Sequence, residues 1–249
     1  MTNITRRRII TTGGAAVAGV IGIAAADRIA RHFDLIPPDS GRLYGLGETL
    51  TYASQRLITR HSLAREFPRS QIAPKPVIHK VGAPSEEFKR LQAGGFVDWK
   101  LTVDGMVSRP TTFSLADIKA LPTHSQITAL TCEEGWNYIA EWIGTPLASV
   151  LAEVGVHPQA RAVIYRAIDP RNWDSIDMAD ALHPQTFLTY GMNDADLPVP
   201  SGGPLRIRLP RQLGYKNVKF INRITVTDSL KDFGSTPNPR FTYSWYAGI

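Results

Sequence analysis

Apolar and polar positions begin to alternate at Phe96: Val97, Trp99, Leu101 and Val103 share one face of an extended segment, with polar neighbours between most of them. A period of two is that of a half-buried β-strand. Asp104-Gly105 then predicts a turn, with Met106-Val107 as the return strand before Pro110. A helix is predicted over 114–121, capped by Ser114, with Asp117 completing a capping box and Pro122 ending it. Residues 126–131 read as a short buried strand. Leu147, Val150, Leu151 and Val154 recur at i, i+3, i+4 and i+7, the apolar stripe of a helix. Thr145 is its expected cap, Pro146 its first residue and Gly155 its end.

Farther on, 162–167, 187–190, 205–209 and 220–227 read as strands and 178–182 as a short helix. The residues 169–173, Asn193-Asp194, Ser201-Gly202-Gly203-Pro204 and 214–219 read as loops or turns. Strands outweigh helices, no glycine fingerprint for a dinucleotide follows a strand, and no βαβ series appears. The expected class is therefore α+β, with mixed β-sheets and short flanking helices. Residues 27–96 are rich in Pro, Gly and Arg. They read as an extended arm with one helix around 49–60, in which Arg65 could make a forked contact to an anion. This divides the chain into residues 1–26, an arm at 27–96, a core at 97–228 and a tail at 229–249 expected to pack on the core.

The first 26 residues carry Thr5-Arg6-Arg7-Arg8-Ile9-Ile10 and a Gly- and Ala-rich run to Ala24-Ala25-Ala26. That is the pattern of a twin-arginine leader, so export through the twin-arginine machinery to the periplasm is expected. An uncleaved membrane anchor is the competing reading; four glycines and two threonines within 9–26 disfavour it. The net charge of +6 includes three leader arginines and no leader acid, so 6 − 3 leaves about +3 on the rest. That charge is small and evenly spread, which speaks against a nucleic-acid partner.

The chain has one cysteine, Cys132, at the end of the strand 126–131, followed by Glu133, Glu134, Gly135 and Trp136. In an oxidising compartment it can form no internal disulfide, so it is expected to be buried or ligated. A buried structural cysteine is the plain reading. Two adjacent carboxylates raise a thiol's pKa, which argues against a free nucleophilic thiolate unless a cation or soft metal compensates. Arg206, Lys216 and Lys219 flank glycine-containing turns suited to a phosphate, beside Ser201.

Together the blocks Thr131-Cys132-Glu133-Glu134-Gly135-Trp136, Trp142-Ile143-Gly144-Thr145-Pro146-Leu147, Gly202-Gly203-Pro204-Leu205-Arg206 and Gly214-Tyr215-Lys216-Asn217-Val218-Lys219 resemble the molybdopterin domain of the sulfite oxidase family. The likeness is greatest to its small exported bacterial members, the methionine sulfoxide reductase catalytic subunits among them. The resemblance implies a Mo-molybdopterin cofactor with Cys132 as metal ligand. It implies cofactor contacts from Ser201, where the reductase has asparagine, and from Arg206, Asn217, Val218 and Lys219, with Lys216 nearby. Arg65, Glu66 and Phe67 stand roughly where relatives reach the pterin from the arm, although the Asn-rich motif is missing. Glu134 would face the metal's open side and relay a proton, and Trp136 and Tyr138 would line the pocket. The implied activity is oxygen-atom transfer to or from a small sulfite- or sulfoxide-like substrate. Electrons would be exchanged with a separate haem protein, a membrane-bound b-type haem or a soluble cytochrome, because one cysteine cannot make a Cys-x-x-Cys-His haem attachment. The cluster of arginines that binds the oxyanion in vertebrate-type members has no counterpart here. The alternatives are a cysteine hydrolase pairing Cys132 with His61, His79, His124, His157 or His183, and a non-catalytic binding module.

Overall fold

The computed structural model describes residues 28–30, 33–38, 45–79 and 85–233. The twin-arginine segment and the aromatic residues 241–246 lie outside the described residues. By its contacts the chain forms two units, residues 1–37 with 44–59 and residues 38–43 with 60–249.

The first unit contains helix α1, Leu46–Thr59, starting three residues ahead of the predicted Thr49. Glu48 in its first turn and Arg56 in its last complement the helix dipole, and Arg56 is buried with its guanidinium over the Tyr52 ring at 5.5 Å. Among the described residues no helix is long and apolar enough to cross a membrane.

The second unit holds two sheets, and the expected α+β class is observed. The first runs β2-β1-β10-β5-β6 and is mixed. β1 (Lys100–Gly105) and β10 (Ile221–Thr227) are parallel, while β2 (Thr111–Ser114), β5 (Ala162–Ala167) and β6 (Trp173–Asp177) join antiparallel. The second runs β3 (His124–Thr131), β4 (Asn137–Pro146), β7 (Phe187–Met192) and β8 (Ala195–Asp196), with β9 (Arg206–Arg208) on β7. The helices are α2 (Glu86–Ala93), α3 (Leu115–Ala120), α4 (Leu147–Val154) and α5 (Met178–Ala181). One core cluster is shared by both sheets and α4: Leu101, Val163, Ile224, Leu151, Leu188 and Ile207 all belong to it. A smaller cluster, Leu130, Tyr138, Ala140 and Trp142 with Met192 and Leu197, lies on the site-bearing face of β4.

Several local expectations hold. The Ser114–Asp117 capping box is present in full, Gly155 ends α4 in the left-handed region, and β5 spans the predicted residues. Others are corrected. The return strand is β2, not Met106-Val107. Gly105 is drawn instead into register with Val226 of β10, where φ is +88° and a Cβ would lie 2.1 Å from the Val226 oxygen. Thr145 does not cap α4: its buried hydroxyl donates to the Ile118 carbonyl at 3.0 Å, and Pro146 is the N-cap residue. The predicted loop ends at Trp173 and no element is predicted over 174–177, because the polar residues of β6 hide the alternation. Asp174, Ser175 and Asp177 are all buried. Helix α2 was not singled out; Ser85 caps it, and Phe88 and Leu91 pack into the main core cluster.

Candidate active site

β3 and β4 pair from His124↔Gly144 to Thr131↔Asn137, so the next residues make the hairpin turn that carries the thiol. Cys132 N donates to the Trp136 carbonyl at 2.9 Å and Gly135 N to the Cys132 carbonyl at 3.1 Å. The Cys132 side chain is buried, and its sulfur lies 3.4 Å from Glu133 Oε2 and 3.9 Å from Glu134 Oε2. Burial first, then the two carboxylates, pushes the thiol from its ordinary 9.0 up to about 11. Glu134 stands at the rim. Trp136 Nε1 donates to its Oε2 at 2.8 Å and His79 Nδ1 lies 3.5 Å away, and these hold its pKa down, so it stays ionised. The ligand atoms of His79, Cys132 and Glu134 fall within 4.8 Å of one another, close enough to share a metal ion.

The opposite side of the site is cationic. Strand alternation in Arg206-Ile207-Arg208 sends Ile207 into the main core and both guanidiniums onto the other face, over the Trp142 ring at 5.3 Å and 5.0 Å. Arg206 donates to the Ser201 and Asn217 carbonyls, both at 2.7 Å. Arg208 donates to Asn217 Oδ1 at 2.9 Å, to Thr128 Oγ1 at 3.2 Å and to the Ala129 carbonyl. Lys219 Nζ donates to the carbonyls of His79 at 2.8 Å and Pro200 at 2.7 Å. Among the described residues none of these three cations meets a carboxylate. Burial lowers the pKa of all three, Arg208 to about 9 and Lys219 to about 8, with Arg206 adding to both shifts. Gly202 makes room for this packing: at φ +117° a Cβ there would meet Lys219 Cγ at 3.0 Å.

Between the two sides lies a cleft of about 230 Å³ whose walls include Cys132, Tyr138, Ser201, Arg206 and Lys219. The cleft fits an anionic metal cofactor. Among the described residues Ser201 Oγ and Arg206 Nε are buried without a hydrogen-bond partner, and so is Arg208 Nε. A phosphate would satisfy the first two, and a soft metal would replace the thiol proton.

The structure brings together Cys132, Ser201, Arg206, Asn217, Val218 and Lys219 around one cleft, with Glu134 at its rim. Lys216 departs from expectation. Its Nζ turns inward to Asp174 Oδ1 and the Ser175 carbonyl, both at 2.6 Å, so the ammonium is held by the protein rather than offered to a phosphate. Arg65, Glu66 and Phe67 do not line the cleft. Phe67 N donates to the Ile127 carbonyl at 2.9 Å, Glu66 bridges to Thr128, and Arg65 lies over the Phe67 ring, so this part of the arm runs along β3. Asn172, Trp173 and Asp174 line the cleft without having been expected there: 169–173 reads as a loop with no site role, and Asp174 belongs to no expected element. His79 was considered only as a hydrolase base. It stacks on Trp136 with ring centroids 6.5 Å apart, an arrangement no local pattern announces.

The chain is similar to known proteins in sequence and in fold. Residues 90–233 match the family model described as oxidoreductase molybdopterin binding domain. A protein of Azospira oryzae, YedZ1, named as a candidate protein-methionine-sulfoxide reductase subunit, is 35% identical over 197 residues, 77% of this chain and 70% of its own. The protein-methionine-sulfoxide reductase catalytic subunit MsrP of Ralstonia nicotianae is 32% identical over 145 residues, 52% of this chain and 44% of its own. The crystal structure of the sulfane dehydrogenase SoxCD of Paracoccus pantotrophus shares the fold, with a TM-score of 0.51 and 24% identity over 53% of this chain and 39% of that one. With a buried thiol facing unpaired cations across one cleft, the chain belongs to the oxidoreductase molybdopterin-binding domain family, of the sulfite oxidase type, and is an oxidoreductase that uses Mo-molybdopterin.

Proposed function

We propose that this oxidoreductase moves an oxygen atom to or from a small sulfoxide-like substrate, works in the periplasm after twin-arginine export, and exchanges electrons with a separate haem protein. The observation that carries the reading is the facing of Cys132 and the uncompensated pair Arg206 and Lys219 across one cleft. Bound Mo-molybdopterin supplies the two-electron redox chemistry. Cys132 would hold the metal as a thiolate, a form that its burial and the two carboxylates oppose and a metal's charge would favour. Arg206, Ser201 and Lys219 would hold the cofactor's anionic end with charge-assisted hydrogen bonds. Glu134, ionised at the rim, accepts or returns a proton at Oε2, and Trp136 Nε1 fixes its orientation. Tyr138 and Trp136 wall the cleft and limit water.

The substrate class is supported by the names of the two relatives, both methionine sulfoxide reductase proteins. Protein purified from a molybdopterin-competent host should carry near-stoichiometric molybdenum and reduce sulfoxides with a reduced dye as donor. Cys132→Ala should lose both properties, and normal turnover in that variant would sink the assignment of the thiol. Fractionation of cells producing an Arg6→Lys/Arg7→Lys variant tests export. Oxidation by the purified enzyme of a reduced b-type cytochrome in source membranes tests the electron partner.

A further inference from the structure

Arg208 is fully buried and does not line the cleft, yet it is bonded to both of the segments that do the binding. One arm of its guanidinium reaches Thr128 Oγ1 and the Ala129 carbonyl on β3, the strand that delivers Cys132 three residues later. The other arm reaches Asn217 Oδ1, at the start of the segment that ends in Lys219. Both ends are held from other directions as well. Trp142 Nε1 donates to the Thr128 carbonyl at 3.2 Å, and Asn217 accepts from Leu209 N at 2.7 Å and donates to the Leu213 carbonyl at 3.0 Å. A buried cation without a carboxylate costs several kcal/mol and is a poor choice for mere stability. A planar fork that spans two segments suits it to setting their separation.

We propose that Arg208 is a positioning residue that clasps the strand bearing Cys132 to the segment bearing Lys219, fixing the distance between the metal's thiol ligand and the anchor of the cofactor's anionic end. The proposal rests on Cys132 as metal ligand and Lys219 as anchor. Wild-type protein lacking bound molybdenum would overturn that basis before any variant is compared.

The test uses full-length Arg208→Met, Arg208→Lys and Thr128→Val proteins. It reads molybdenum per chain, the Mo(V) electron paramagnetic resonance signal, kcat and KM, and the thermal midpoint of cofactor-free protein. Partners one shell out from a metal ligand typically change affinity or activity by roughly 10–100-fold. Arg208→Met is expected to lower cofactor retention by about that factor and to shift the resonance signal of whatever remains. KM should be unchanged, and the cofactor-free midpoint should move little, because losing a buried charge without a carboxylate offsets the acceptors left on Thr128, Ala129 and Asn217. Arg208→Lys keeps the charge but cannot fork, so it should fall between, and Thr128→Val should move the same readouts less. Full loading with an unshifted signal in Arg208→Met overturns the proposal. So does full rescue by Arg208→Lys, which would assign the effect to charge alone. A fall in the cofactor-free midpoint of all three variants, in step with lost loading, also overturns it and makes Arg208 structural.

Discussion

The two walls of the cleft are opposite in charge and alike in discomfort. On the Cys132 wall, burial and two neighbouring carboxylates keep a thiol protonated, up to about 11. On the Arg206 wall, burial pushes cations down, Lys219 to about 8, and leaves Ser201 Oγ and Arg206 Nε without partners. Two other buried cations are paired with carboxylates, Lys216 with Asp174 and Arg211 with Asp180. The difference teaches that the paired sites serve the fold and the unpaired ones serve a ligand. A metal that takes the thiol's proton and an anion that meets the cations relieve both walls at once.

The largest expected effect breaks the thiol wall. Cys132→Ala should abolish both molybdenum loading and dye-driven turnover, measured by metal analysis and with a dye donor. Next comes the cationic wall. Hydrogen bonds to charged groups are worth about 1.5–3 kcal/mol, so Arg206→Met and Lys219→Gln should each speed cofactor release by roughly ten- to a hundredfold, followed by the fluorescence of the released pterin. Lys216→Met should instead lower stability in urea while sparing the affinity of protein that folds, because it strips a buried partner from Asp174.

A control far from both walls sets the scale. Ser114→Ala removes the capping box of α3 and should cost about 1 kcal/mol in urea unfolding with molybdenum content unchanged. The smallest effect is the pH dependence of the cofactor-free protein. Lys219 ordinarily titrates at 10.5 and in the fold at about 8, so above pH 8 the unfolded chain binds more protons and stability rises with pH. Above about 9 two groups act in opposite senses: the Cys132 thiol lowers stability, because the unfolded chain releases its proton while the fold keeps it up to about 11, and Arg208, held down to about 9 in the fold, adds to the rise. A rise in urea midpoint between pH 8 and 9, absent in Lys219→Gln and reduced in loaded protein, checks the sign.

Much of this contrast could be read along the chain. Strand alternation and the i, i+3, i+4, i+7 stripe of α4 are periods that backbone geometry imposes locally, and the capping box at Ser114 needs only neighbours three residues apart. The lone cysteine at a strand end and the glycine-flanked Arg206 and Lys219 were likewise visible as chemistry waiting for a partner. Direction and company were not. The sequence held no sign that Lys216 turns to Asp174 while Lys219, three residues on, borders the cleft, or that His79 stacks on Trp136. The antiparallel strand β6, with Asp174, Ser175 and Asp177 inside, showed no strand signal because its polar side chains find buried partners or caps rather than water. Such choices depend on which strands lie side by side, and pairing between residues far apart in sequence is settled by the packing of the whole unit.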